Sequence, residues 1–280
     1  MKHILRAAAG AAALACLLPG APAHALAAVA PNHPQTSSTP PANGSAILNA
    51  SAAPTQSGPT TLSGTYKSLP FGYGIYSSGT YQTAGSAVFS GNDIGFADQP
   101  APPGSQVTMI VAKGTAFHAN TTGVEATQAS LTDRGGIYTD NVQGMYLENG
   151  TGALIDGAAY TGNQVGIYVH NADVAIRNAS FSGNTVDLYV MGGQVTVYGS
   201  FGADNGRTVT KSAGTASGTF AGGSTQKFKY VVFAGKLTFA AASAAPTSPP
   251  AVVRPNLALP DMNEYAPGAQ EDATMPGDAK

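Results

Sequence analysis

Tyr160-Thr161-Gly162-Asn163-Gln164-Val165-Gly166-Ile167-Tyr168-Val169 is followed 21 residues later by Phe181-Ser182-Gly183-Asn184-Thr185-Val186-Asp187-Leu188-Tyr189-Val190. The pattern extends back through Tyr138-Thr139-Asp140-Asn141 and Phe117-His118-Ala119-Asn120, and forward, more loosely, to Phe201-Gly202-Ala203-Asp204-Asn205. The asparagines at 120, 141, 163, 184 and 205 are spaced by 21, 22, 21 and 21 residues. A fixed period of this size marks a solenoid, in which each repeat buries its apolar face against its neighbours.

Within one repeat, the fourth residue after the asparagine is Val124, Met145, Ile167, Leu188 or Val209, and the sixth is Ala126, Leu147, Val169 or Val190. Glu125, Tyr146, Tyr168 and Tyr189 lie between them. Alternation of period two is a strand with one buried face. A second strand precedes each aromatic, with inward pairs Ile110/Ala112, Ala153/Ile155, Val174/Ile176 and Val195/Val197. Leu131 fits the same row, but its partner is Asp133, a charge in a core position unless Gly135-Gly136 shift the register and turn it toward water. Two strands leave no room for a helix, so the fold class is all-β: a parallel β-helix of ~21-residue coils, with like residues stacked about 4.8 Å apart. Asparagine tolerates the left-handed conformation of a sharp corner, and its amide can donate and accept along the stack. The Phe/Tyr row beside it predicts an internal aromatic column.

The Phe/Tyr-Ser/Thr-Gly-Asn-x-x-Gly-Ile-Tyr-Val pattern resembles the right-handed parallel β-helix repeat of pectate lyases, polygalacturonases and alginate epimerases, over about residues 85–212. The resemblance implies the fold of the pectate-lyase-like superfamily. It does not imply an activity, because this fold carries many functions.

Residues 1–27 read as a secretory signal peptide. Lys2 and Arg6 form its basic start, and Ala7 to Leu18 is an apolar run too short to span a membrane. Ala23-His24-Ala25 and Ala25-Leu26-Ala27 are acceptable cleavage sites; a lipoprotein signal ending at Cys16 is the alternative, with a poor lipobox. Residues 28–60 carry no charged side chain and predict a disordered linker. Residues 61–240 form the β-helix with its terminal caps. Gln99-Pro100-Ala101-Pro102-Pro103-Gly104 is an inserted loop in the coil from Asn92 to Asn120. Residues 241–280 are Pro- and Ala-rich with a net charge of −3, which predicts a disordered acidic tail.

Without Lys2 and Arg6, 11 basic residues face 15 acidic ones, and no basic stripe is present, which argues against a nucleic-acid partner. No other apolar run has the length of a membrane span. The expected location is extracytoplasmic, secreted or periplasmic.

By strand parity Tyr146, Tyr168 and Tyr189 face outward on consecutive coils, next to Glu148 and His170. Flat rings in a row suit sugar faces; the competing reading is cross-strand packing that only stabilises a sheet. A second outward row, Lys113, Arg134, Asp156, Arg177 and Tyr198, offers Arg134 and Arg177 as partners for uronate carboxylates. Glu125, Asp133, Asp140 and Glu148 are the candidate catalytic acids. No paired-aspartate motif is present, and His118 and His170 do not form a metal site. No cofactor is expected. These features predict an exported, non-catalytic protein that binds polysaccharide or another cell-surface polymer, or serves as a scaffold. The alternatives are a polysaccharide lyase, hydrolase or epimerase, and a surface adhesive module that binds a protein.

Overall fold

The computed structural model describes residues 59–69, 71–75, 78–98, 106–220, 223 and 225–253. These residues form a parallel β-solenoid of about six turns, with about 22 residues per turn. The segments expected to be a signal peptide (1–27) and a linker (28–60, up to residue 58), the 99–104 insertion and residues 254–280 lie outside the described residues.

Each turn contributes three strands rather than two, so three sheets run along the axis. Sheet A holds β3 (Phe71–Ile75), β6 (Ile94–Asp98), β9 (Thr122–Thr127), β12 (Gln143–Glu148), β15 (Val165–His170) and the first half of β18 (Val186–Ser200). Sheet B holds β1 (Thr60–Leu62), β4 (Gly79–Thr83), β7 (Val107–Val111), β10 (Ser130–Asp133), β13 (Gly152–Asp156), β16 (Ala172–Arg177) and the second half of β18. Sheet C holds β2 (Thr65–Lys67), β5 (Val88–Ser90), β8 (Ala116–His118), β11 (Ile137–Thr139), β14 (Ala159–Thr161) and β17 (Ser180–Ser182). Its three-residue strands carry the Phe/Tyr of each repeat.

Inside, Tyr66, Phe89, Phe117, Tyr138, Tyr160 and Phe181 stack with ring centroids 4.7–5.1 Å apart and planes within 11° of parallel. Beside them runs the asparagine ladder: Asn120, Asn141 and Asn163 each donate an amide hydrogen to the Oδ1 of the next asparagine at 3.0 Å, and Asn92 does so to Asn120 at 2.9 Å. The left-handed corner residue is the one before the asparagine, Ala119 at φ 53° and Asp140 at φ 54°, so the asparagine is required for its side chain and not for its backbone. Asn205 does not join. It follows a short 3-10 turn at Gly202–Asp204 and is exposed. The ladder ends instead on Asp187, which accepts from the Asn184 amide at 2.9 Å and from the Lys229 N–H at 2.7 Å.

Sheet B shows one register difference from the sequence reading. Leu131 and Asp133 pair with Met109 and Val111, so the inward pair of that coil is Met109/Val111 and not Ile110/Ala112. The longer coil between Asn92 and Asn120 hides this shift from a fixed-period alignment. Asp133 itself stays in the core, fully buried. Its carboxylate accepts from the Gly135 and Gly136 N–H groups at 3.0 and 2.7 Å and from the Tyr138 hydroxyl at 2.8 Å. Gly135, at φ 114°, makes the turn that aims those donors inward.

Coils approach one another closely where Gly95, Gly123, Gly144 and Gly166 enter sheet A. A Cβ added at Gly144 would sit 2.6 Å from the Gly166 carbonyl oxygen and 2.9 Å from a Tyr160 ring carbon. Gly144→Ala is therefore expected to lower stability by about 1–3 kcal/mol through forced separation of two coils, read as a fall in thermal midpoint.

At the far end β19 (Thr208–Val209) and β20 (Ser212–Phe220) pair antiparallel with β21 (Thr225–Ala241), and β21 in turn pairs parallel with β18. Phe220 and Phe228 close the aromatic column against Phe181, with centroids 5.6 and 5.1 Å away. The chain then turns back. Ala242–Ala244 form a 3-10 turn, Arg177 Nη1 donates to the Pro246 carbonyl at 2.7 Å, and the Val253 N–H donates to the Gly150 carbonyl at 2.8 Å. Residues 245–253, assigned by the sequence analysis to the tail, thus cross the outside of sheet B as a strap, from the end of β16 to the corner between β12 and β13. Pro246, Pro249 and Pro250 favour this extended path.

Candidate binding site

Two outer surfaces collect the residues singled out from the sequence. The first is sheet A. Tyr146, Tyr168 and Tyr189 are in register, with centroids 5.2 and 4.9 Å apart, and Glu125 continues their row one coil earlier. The rings do not lie open: Tyr146, Tyr168 and Tyr189 are 6, 9 and 0% exposed. Glu148 accepts from the Tyr146 hydroxyl at 3.0 Å and from the Thr127 hydroxyl at 3.1 Å, and His170 Nδ1 lies 3.7 Å from it. Burial pushes the Glu148 carboxyl up, but hydrogen bonds from His170, Tyr146 and Thr127 outweigh it and hold the group below its ordinary range. Glu125 is pushed up to about 8 by burial first and then by the charges of Glu148 and Asp98. Asp98, which the sequence analysis did not single out, is likewise pushed up to about 8 by burial, against one backbone hydrogen bond from Thr127. Glu125 Oε2 and Asp98 Oδ1 are buried without a hydrogen-bond partner.

One carboxyl pushed up and another held down on neighbouring strands of one face is the electrostatic pattern of an acid–base pair. The four candidate acids nevertheless do not share one cleft. Glu125 and Glu148 come together on sheet A. Asp133 serves the interior turn at Gly135-Gly136. Asp140 is exposed at the end of sheet C, 3.8 Å from His118.

The second surface is the groove between sheet B and the strap. Its volume is about 640 Å³, and Lys113, Arg134, Asp156, Arg177 and Asn178 line one wall, with Thr247–Pro249 on the other. Asp156 is engaged through both oxygens, by Arg177 Nη2 at 2.8 Å and by the Asn178 amide at 2.6 Å. Arg177 is oriented further by its bond to Pro246, while its Nε is buried and unpaired. Lys113 and Arg134 are exposed and have no carboxylate within 4 Å among the described residues. The groove therefore holds three cations, only one of them neutralised, and a spare N–H donor. An anion with several oxygens fits that inventory. The strap wall was missed because a Pro-rich run reads as unstructured by composition; the clue was Pro249-Pro250, which favours extended backbone able to lie along a sheet.

Among the described residues no helix is long and apolar enough to cross a membrane. Comparison with protein-family models, with characterised proteins and with solved structures found no match to this chain.

Proposed function

We propose that this chain is an exported, non-catalytic member of the pectate-lyase-like β-helix superfamily that binds an acidic polysaccharide in the groove between sheet B and its strap. The observation that carries the reading is the cation set of that groove. Lys113, Arg134 and Arg177 come from three of four neighbouring coils, and Asp156 answers Arg177 alone. Coils stack about 4.8 Å apart, a spacing close to the repeat of one sugar unit in an extended chain, so a polyuronate running along the axis meets successive cations. The closed tyrosine face favours this groove over sheet A as the polymer site. The Glu125–Glu148 pair favours a polysaccharide-cleaving or epimerising enzyme as the second reading, but the Glu125 side chain is buried away from a polymer chain.

The test is equilibrium binding of the full chain to a polyuronate and to a neutral glucan. The polyuronate is expected to bind with an affinity that falls as salt rises. Arg134→Glu is expected to weaken binding by about tenfold or more, the worth of one charge-assisted contact. Tyr146→Phe is expected to leave it unchanged. Equal binding to the neutral glucan, or no loss in Arg134→Glu, overturns the reading. Product analysis of the same polyuronate after prolonged incubation decides the enzymatic alternative.

A further inference from the structure

A second groove lies at the opposite end of the sheet B strands from the cationic one. The cationic groove follows the strand ends, where Asp156 closes β13 and Arg177 closes β16. The second follows the strand starts, along the corner between sheets A and B, and has a volume of about 770 Å³. Asn149, Asn171, Asp173, Gln194 and Lys236 line it, and Val253 of the strap adds an apolar wall. Val253 is 56% exposed, one of two large apolar side chains left open among the described residues. Its N–H is tied to the Gly150 carbonyl at 2.8 Å, which fixes the wall in place.

The charges of this groove have a definite layout. Asp173, Gln194 and Lys236 form one row across three neighbouring strands, β16, β18 and β21. Asp173 and Lys236 therefore stand two strand spacings apart, about 10 Å between backbones. They do not answer each other, and neither enters an ion pair among the described residues. Asp173 Oδ1 accepts from the Gln194 N–H at 3.1 Å, which holds the carboxylate at its end of the row. Gln194, exposed between the two charges, supplies an amide. Asn149 and Asn171 add two more from the adjoining corner, where their backbones are left-handed at φ 54° and 56°. Glycines hold that corner in the last coils, Gly192 at φ 122° and Gly235 at φ 88°, so the turn by itself does not call for an amide.

A polyanion meets one cation here and one carboxylate that repels it, and a neutral sugar uses neither charge. A peptide with free ends carries an ammonium and a carboxylate with peptide groups between them. Those groups both donate and accept, as asparagine and glutamine amides do. Three extended residues span about 10 Å, the separation of the two charges. We propose that this groove binds a short extended peptide with both termini free, its ammonium on Asp173 and its carboxylate on Lys236. Gln194 and Asn171 serve the peptide groups between, and Val253 takes a side chain. The site shares no lining residue with the cationic groove and does not rest on the polysaccharide reading.

Calorimetric titration of the full chain with trialanine, N-acetyl-trialanine and trialanine amide tests it. Trialanine is expected to bind saturably, and each cap to weaken binding about fivefold, the worth of one partly exposed charge contact. In Asp173→Asn, which keeps an acceptor for the Gln194 N–H, the acetyl cap is expected to lose its effect while the amide cap keeps it. In Lys236→Met the reverse is expected. These positions are exposed or half-buried, so the variants are expected to fold as the parent does. No saturable binding of trialanine at millimolar concentration overturns the proposal. So does equal binding of free and capped peptides, or a capping effect that persists in both variants, which puts the contact elsewhere. Polyuronate binding is expected to be the same in Asp173→Asn as in the parent, so either reading can fail while the other stands.

Discussion

Asn141→Ala is expected to cost about 4–6 kcal/mol, enough to leave the solenoid largely unfolded at physiological temperature. Asn141 Oδ1 accepts from the Asn120 backbone N–H at 2.9 Å and from its side-chain amide at 3.0 Å. Its own amide donates to the Phe117 carbonyl and to Asn163 Oδ1, both at 3.0 Å. Alanine removes four bonds at once in a place water cannot reach, since Asn120, Asn141 and Asn163 are 1–2% exposed. Each buried group left without a partner costs about 1–3 kcal/mol, and the ladder transmits the loss to coils on both sides. Net stability of a domain is only about 5–15 kcal/mol. Asn205→Ala is the matched control: Asn205 is exposed and outside the ladder, so its loss is expected to stay within about 0.5 kcal/mol. Urea unfolding of the two variants beside the parent protein decides the matter. Similar losses in both would show that the ladder is not what holds the coils together.

Asp133→Ala is expected to cost about 3–5 kcal/mol, because it strips the acceptor from two buried N–H groups and the Tyr138 hydroxyl. Asp133→Asn keeps an acceptor for the turn and isolates the charge. Burial pushes the Asp133 carboxyl up to about 6, against the lowering effect of the Gly136, Tyr138 and Gly135 bonds. An aspartate in the unfolded chain titrates near 3.9. The folded state therefore holds the proton more tightly. This contribution to stability is fully present below about pH 4, is lost as the pH rises through about 6, and is flat above that. Its full size is on the order of 3 kcal/mol, from about 1.4 kcal/mol per pKa unit. Unfolding free energies of the parent protein and of Asp133→Asn, measured from pH 4 to pH 7.5, are expected to draw together or cross as the pH rises. Parallel curves would show that Asp133 titrates in the fold as it does in water.

The repeat made most of the fold legible. The asparagine spacing, the period-two alternation and the aromatic beside each asparagine placed the coils, the ladder and the internal column, because each is a local requirement repeated at a fixed interval. The reading weakened where the interval broke. The longer coil before Asn120 displaced the assigned partners of Leu131 and Asp133 by one residue. Asn205 matched the motif but left the coil path, since nothing in one repeat states which repeat is the last. Of the site, the outward Arg134 and Arg177 were named from parity alone. The acidic pair Glu125 and Glu148 was named with two acids that lie elsewhere, because separation along the chain says little about convergence between different sheets.

The sequence by itself determined that this protein is a stack of β-coils held by asparagine and aromatic columns, since periodic side chains have one way to stack. Only the tertiary structure decided that Asp133 remains inside, that the outward tyrosines are buried, and that residues 245–253 wall a cationic groove. Those outcomes depend on contacts between segments with no common period: a strap crossing sheet B, a turn folding its own N–H groups onto a buried carboxylate, and a tyrosine row whose burial no alternation of residues can announce.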